Sequence, residues 1–495
     1  MQSRYPLIKL ERNEAFESEK SETSIPPSCD AEDTPRIRVG RLVKVALLFT
    51  LMGHLAFAAE RPNVLFIAVD DLNDFPTFTG CYPSAKTPNM DRLAKQGMVF
   101  TAAHCQFPLC GPSRASVMSG LFPATLGYTD HMKDEVLQKR SRELGTELLH
   151  TYFSKQGYET LAVGKICHSH VPEGSVDASG GRGGFDQGTG KLRKNWDSDK
   201  TSTDWAMAPE RDEQLPDYKA AQWAMDQLNA KHEKPFFLMV GFLRPHVPWY
   251  VPKKWYDLHD KSKLKLPAYR PDDLDDVPAM AKKICIYEGM PRTEWAIQND
   301  KWLDMLQAYN ACVSFADDQV GKVLAALENS PYKENTIVVL WSDHGYHMGE
   351  KNTFQKQSLW ERSSHVPLVF AGPGVAPGTR CDRVVGLLDL YPTLLEMCGL
   401  PKNAKNEGRS LVPLIKNPST PWPFPALTGW LSDSFAIQTE RYRYIRYGDG
   451  SEELYDHQND LAEFNNLAGR DEYESIRKEM AASLKSIAPK KKTAR

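Results

Sequence analysis

Cysteine is scarce in this chain and follows no pattern. Nine cysteines are spread over 495 residues with no C-x-x-C pair and no regular spacing. This argues against a zinc ribbon or a disulfide scaffold as the basis of the fold. Charge of one sign is also missing. With 61 Lys and Arg against 64 Asp and Glu, the net charge is -3, so there is no basic field to hold nucleic acid and any anion site must be local. No internal repeat is evident, and 41% hydrophobic with 25% charged residues is globular composition rather than that of a disordered tail.

A membrane-spanning run is absent too. The apolar stretch from Val45 is preceded by Arg36, Arg38, Arg41 and Lys44 and closes on Ala56-Phe57-Ala58; it is shorter than the roughly 20 residues a spanning helix needs. Residues 36–59 therefore read as a secretory signal peptide, which makes the protein an exported one, periplasmic or secreted, with no span once the signal is removed. A signal normally starts near the initiating methionine, so residues 1–35 read as a leader from a mis-assigned start, with the true start near Val39.

What is present is an alternation of strand and helix. "NVLFIAVD" from Asn63 is a continuous apolar run ending in carboxylates, as in a buried parallel strand. "TPNMDRLAKQG" predicts a helix with Thr87 as N-cap, Pro88 in the first turn and Gly97 as the stop. Further strands are expected at 160–164, 236–241, 336–341 and 367–372, with helices between them, among them 145–158, 218–231 and 302–328. The fold class is α/β, a mostly parallel central sheet flanked by helices. Residues 60–401 form the main domain in this reading. Residues 402–495 form a smaller C-terminal α+β subdomain, in which "FAIQTERYRYIRYGDGSEELYD" predicts an antiparallel hairpin.

In an open parallel sheet, ligands bind beyond the carboxyl ends of the strands, and those ends carry unusual residues. Asp70 and Asp71 follow the first strand, Lys165 and His168 the second, Arg244 and His246 the third, Asp343 and His344 the fourth. Any one of them has an ordinary explanation as a turn, cap or satisfied polar group; four at one sheet edge point to a site. Three carboxylates at one rim repel unless a cation joins them. Oxygen donors favour a hard ion, calcium ahead of magnesium, with His344 as the one softer donor. Cys110 lies in "FPLCGPSRASVMSG", where Gly111 and Pro112 predict a loop and Ser113-Arg114 a helix start whose free N–H groups attract an anion. A buried core cysteine is the commoner role for such a thiol.

Cys110-Gly111-Pro112-Ser113-Arg114 matches C-x-P-S-R, the signal by which sulfatases have a cysteine oxidised to formylglycine. Together with "NVLFIAVDDLN", "GYETLAVGKICH", "PFFLMVGFLRPHVPW" and "VVLWSDHGYHMGEKNTFQK", it makes the chain resemble the type I sulfatases of the alkaline phosphatase superfamily, over roughly residues 61–400. Asp343-His344 is most similar to the iduronate-2-sulfatase branch. The resemblance implies an alkaline phosphatase-like fold and one calcium ion held by Asp70, Asp71, Asp343, His344 and the modified Cys110. It implies that Arg114 and Lys165 steady the formylglycine (3-oxoalanine), that His168 orients it, and that His246 and Lys356 hold the sulfate, with His246 or His168 protonating the leaving alcohol. A formylglycine-generating enzyme would be a partner during maturation. The hydrated aldehyde brings two hydroxyls on one carbon: one attacks sulfur, and loss of the proton from the other expels sulfate.

The substrate expected from the resemblance is a 2-O-sulfated uronic acid or a related polysaccharide unit, with selectivity set by loops 174–200 and 249–292. Choline or aryl sulfates are alternatives within the class. A phosphatase or phosphodiesterase of the same fold is the rival enzyme, disfavoured because Cys110 stands where those enzymes place Ser or Thr, and Lys356 and His246 stand where a second metal would sit. A binding protein that has lost catalysis is a third reading, set against by a competent residue at every position.

Overall fold

The run Asn63–Val69 is buried along its whole length in the computed structural model, which describes residues 61–81, 85–182, 192–285 and 289–489. The expected leader and signal peptide lie outside the described residues, as do parts of both selectivity loops. Side chains alternate across a strand, and here both faces are covered. Leu65, Ile67 and Val69 join one core, against the helix Trp302–Glu328, while Val64, Phe66 and Ala68 join another on the opposite face. That is why the strand reads as unbroken apolar sequence rather than as alternation.

Across the main sheet the strands lie in the order Thr379–Gly386, Gly97–His104, Leu368–Ala371, Thr336–Ser342, Asn63–Val69, Phe236–Phe242, Glu159–Gly164, Ala178–Gly181. His365–Val366 pairs beside Gly97–His104. All the long pairings are parallel except those of Leu368–Ala371, which runs against both neighbours. The mostly parallel sheet is as expected. Gly97–His104 is an addition: the glycine that stops helix Pro88–Gln96 also begins a strand.

The C-terminal run expected as one hairpin is three strands, Ser434–Gln438, Tyr442–Arg446 and Glu452–Asp456, joined by Ala426–Trp430 into an antiparallel sheet of four. Helix Glu474–Ile487 covers it, packing Met480 and Leu484 on Ile437, Tyr444 and Leu454.

Several histidines are buried uncharged. His150, on helix Leu149–Lys155, is fully buried with one ring nitrogen 3.0 Å from Ser175 Oγ, and burial pushes its pKa down to about 3. The unfolded chain takes up a proton near the ordinary value of about 6.5, whereas the folded chain refuses it until far lower pH. Stability from this group is therefore whole above about pH 6.5 and falls as the pH drops toward 4. His150→Gln is expected to lessen the loss of unfolding free energy between pH 7 and 4.5 by on the order of 2 kcal/mol. Denaturant titrations at the two pH values measure this, and an unchanged slope would remove His150 from the acid response.

Candidate active site

The strand ends lie level, with Val69 beside Phe242 and Ser342, and Gly164 beside Gly241. The residues just past each strand therefore arrive at one edge. Gly164 has φ +78, and a Cβ there would lie 1.9 Å from the Gly241 carbonyl oxygen; a Cβ on Gly241 would strike the Lys165 carbonyl at the same distance. Only glycines allow this crossing, and it delivers Lys165 beside Asp70.

Cys110 is not in a loop. It is the first residue of helix Cys110–Ser119, every residue of which is buried. Pro112 fits because its missing N–H falls in the first turn, where those groups have no intrahelical partner. The segment before the helix is held by the C-terminal sheet. Thr428 Oγ1 donates to the Cys105 carbonyl at 2.7 Å, Gly429 N–H to the Gln106 carbonyl at 2.8 Å, and the Phe107 and Trp430 rings lie 5.2 Å apart.

Around the thiol the charges alternate. Lys356 Nζ is 3.1 Å from Cys110 Sγ and 2.6 Å from Asp71 Oδ1, and His344 Nε2 is 3.2 Å from the sulfur and 3.3 Å from the same carboxylate. Lys165 Nζ donates to Asp70 Oδ2 at 2.6 Å. Arg114 Nε donates to Asp343 Oδ2 at 2.7 Å, and its Nη1 donates to the Lys165 and Ile166 carbonyls. Burial would raise the Asp70 and Asp71 pKa values, yet both are lowered. Lys165, His246 and Arg114 outweigh burial at Asp70, as do His246, Lys356 and His344 at Asp71. Three carboxylates are thus met by three cations of the chain itself, so charge crowding alone does not demand a metal.

Unsatisfied atoms argue for one. Asp71 Oδ2 is buried without a hydrogen-bond partner, and Asp70 Oδ1 has only Arg114 Nη2 at 3.6 Å, beyond hydrogen-bond distance; a bound cation would satisfy both. Donor atoms of Asp70, Cys110, Asp343 and His344 lie within 4.8 Å of one another, as do those of Asp70, Asp71, Cys110 and His246. His344 Nδ1 hydrogen-bonds the Gly345 carbonyl at 2.9 Å, and burial lowers its pKa, so a neutral ring turns a bare Nε2 to the cluster. Asp71 sits at φ 61, held there by Tyr309, whose hydroxyl donates to the Asp71 carbonyl at 2.8 Å. The residues fit a single divalent ion.

Of the eleven residues singled out from the sequence, all but Arg244 turn their side chains into this region. His246 is half-buried, its Nδ1 bonds the Val247 carbonyl at 2.6 Å, and a ring nitrogen of it lies among the donor atoms of Asp70, Asp71 and Cys110. Arg244, by contrast, turns away to the Tyr250 and His246 carbonyls. His168 stacks on His131 with ring centres 4.0 Å apart, and burial, then Lys165 and His131, push its pKa down to about 3. Nothing in the sequence singles out His131. A Cβ on Gly111 would lie 2.9 Å from His131 Nδ1, so the glycine inside C-G-P-S-R makes room for that ring. Arg182 is likewise new; it comes directly after the short strand Ala178–Gly181 and contributes to the field at Asp70 and Cys110.

The sulfatase family profile matches residues 62–400, well over half of the chain. The chain belongs to the sulfatase family. A second profile, N-sulphoglucosamine sulphohydrolase C-terminal, matches residues 349–490 of this sulfatase. It is 44% identical over 445 residues to a sulfatase of Formosa agariphila, covering 87% of each chain. It is 29% identical to iduronate 2-sulfatase of Homo sapiens, covering 68% of this chain and 69% of that one. Phosphonate monoester hydrolase of Agrobacterium radiobacter shares the fold at a TM-score of 0.70 and 22% identity, covering 86% and 95% of the two chains. The sulfatase is thus a sulfuric ester hydrolase on an alkaline phosphatase-like fold, as expected.

The His131 stack gives this sulfatase a testable support for His168. His131→Ala is expected to lower kcat/KM by roughly 2- to 10-fold, the worth of an aromatic pair, and His131→Phe to restore most of it. Equal losses in both variants would mean that the imidazole, rather than the stacking, matters.

Proposed function

We propose that this sulfatase removes sulfate from a sulfated sugar, a 2-O-sulfated uronic acid or a related polysaccharide unit, after export from the cytosol. It would use a formylglycine made from Cys110 by a formylglycine-generating enzyme and one divalent ion, calcium, at Asp70, Asp71, Asp343, His344 and residue 110. The observation that carries this is Cys110 at a helix start, in contact with Lys356 and His344 and beside two buried carboxylate oxygens that no hydrogen bond satisfies. When present, the formylglycine hydrate supplies a pair of hydroxyls as nucleophile, and the ion supplies a Lewis acid.

The remaining work belongs to the chain's own side chains. Lys356, whose pKa is raised well above the ordinary value because Asp71 and other neighbouring negative groups outweigh its burial, keeps its charge to face the sulfuryl oxygens, and Lys165 holds Asp70. His246 is favoured over His168 as the proton donor to the leaving alcohol. His168, with its pKa near 3, is neutral at working pH and stacked on His131, whereas a ring nitrogen of His246 lies in the cluster with Asp70, Asp71 and Cys110, within reach of a leaving group. The uronate reading rests on the likeness to iduronate 2-sulfatase. Export rests on residues 36–59, and no helix among the described residues is long and apolar enough to cross a membrane.

Inorganic sulfate release across defined 2-O-, 4-O- and 6-O-sulfated saccharides, choline sulfate, an aryl sulfate and an aryl phosphate tests the reading. The highest kcat/KM is expected on a 2-O-sulfated uronate, with loss of activity on chelation and recovery with calcium ahead of magnesium. Preference for the aryl phosphate, or activity indifferent to chelator, would overturn it.

A further inference from the structure

Beginning three residues beyond Asp71, and sharing none of the catalytic cluster's donors, three different donor types converge near the edge of the main sheet. Asp74 lies just beyond the first strand, Cys81 comes after the turn Thr77–Thr79, and His365 opens the short strand His365–Val366. A carboxylate oxygen, a sulfur and a ring nitrogen of the three lie within 4.8 Å of one another. We propose that Asp74, Cys81 and His365 form a second metal site, one that takes a zinc-type divalent cation.

The orientation of each donor supports this. His365 Nε2 hydrogen-bonds the Thr101 carbonyl at 2.8 Å, which leaves Nδ1 as the inward nitrogen, 3.4 Å from Asp74 Oδ2. Bonds of about 2.0–2.3 Å to a tetrahedral ion place neighbouring donors roughly 3.3–3.8 Å apart, so this pair already has the required spacing. The other oxygen of Asp74 is held by Arg362, which fixes the carboxylate and leaves Oδ2 for the ion. A backbone partner on the far ring nitrogen is the usual support of a metal-bound imidazole. Glu361 Oε1, 3.5 Å from His365 Nδ1, adds a second negative charge.

Access is provided for. Asp74 and His365 are buried but Cys81 is exposed, and all three line a cavity of about 660 Å³, with room for a water or an external group as fourth ligand. A mixed sulfur, nitrogen and oxygen set selects zinc or cobalt over calcium, so this site and the oxygen-rich catalytic cluster would take different ions. A bare ion pair of His365 with Asp74 and Glu361 is the competing explanation.

The test uses the full chain carrying Cys110→Ala, which removes the catalytic thiol, stripped with chelator and titrated with cobalt and with zinc. A thiolate-to-cobalt charge-transfer band is expected, together with one tightly held zinc per chain beyond any ion taken up by the Asp70, Asp71, Asp343 and His344 cluster, measured with calcium present to fill that cluster. Adding Cys81→Ser, at an exposed position, should abolish the band and weaken zinc binding by at least roughly 10- to 100-fold, with unchanged circular dichroism. His365→Gln should act in the same direction. Absence of the band in Cys110→Ala, or equal zinc affinity with and without Cys81, would overturn the proposal and leave an ion pair only.

Discussion

Cys110→Ala is expected to abolish sulfate release while the protein stays folded. The thiol is buried, but the substitution removes a single atom from a packed helix, and the ion pairs of Lys356 with Asp71, Lys165 with Asp70 and Arg114 with Asp343 do not depend on it. The neighbouring Ser113 hydroxyl cannot replace it, being spent on the Asp343 carbonyl at 2.5 Å. Loss of a nucleophile costs roughly 10⁴- to 10⁶-fold in kcat. Sulfate release by Cys110→Ala within tenfold of the parent enzyme, with thermal unfolding unchanged, would refute the role of residue 110.

Arg114→Ala should do the opposite, harming the fold as much as the chemistry. The guanidinium is fully buried, joins Asp343 and two backbone carbonyls, lies 3.6 Å from Asp70, and sits 5.7 Å from the centre of the Trp341 ring. Removing one partner of such a network strands a buried charge and costs on the order of 3–5 kcal/mol. Arg114→Lys keeps the charge but loses the fork of donors. It should fold, with kcat/KM down by roughly 10²- to 10³-fold. Denaturant unfolding and sulfate release on both variants decide this; wild-type stability in Arg114→Ala would show that Asp343 does not need its partner.

The parallel strands are legible because burial on both faces leaves an unbroken apolar run, and the helices because burial on one face writes a helical period into the chain. The residues Asp70, Lys165, His246 and Asp343 are legible as a site because each comes just after such a strand. Direction is not written there: Leu368–Ala371 looks like its neighbours yet runs against them, since an apolar run has no polarity. His131 and Arg182 escape notice because neither belongs to a motif and both sit after short, irregular segments. Nor does composition foretell that Arg114, Lys165 and Lys356 would each find a carboxylate, which weakens the expectation that three acids at one rim must imply a metal. The helical place of Cys110 is hidden in the sequence because Gly-Pro reads as a breaker except in a first turn.

The bonds from Thr428 and Gly429 to the segment before Cys110 bridge more than 300 residues of chain. During synthesis the thiol-bearing stretch leaves the ribosome long before the strand that clamps it exists, and in the finished molecule the sulfur-bearing residue is only 2% exposed. Under the proposed formylglycine reading, an enzyme that oxidises Cys110 would reach it most readily in that interval, and the delay between emergence and clamping would set the time for it to act.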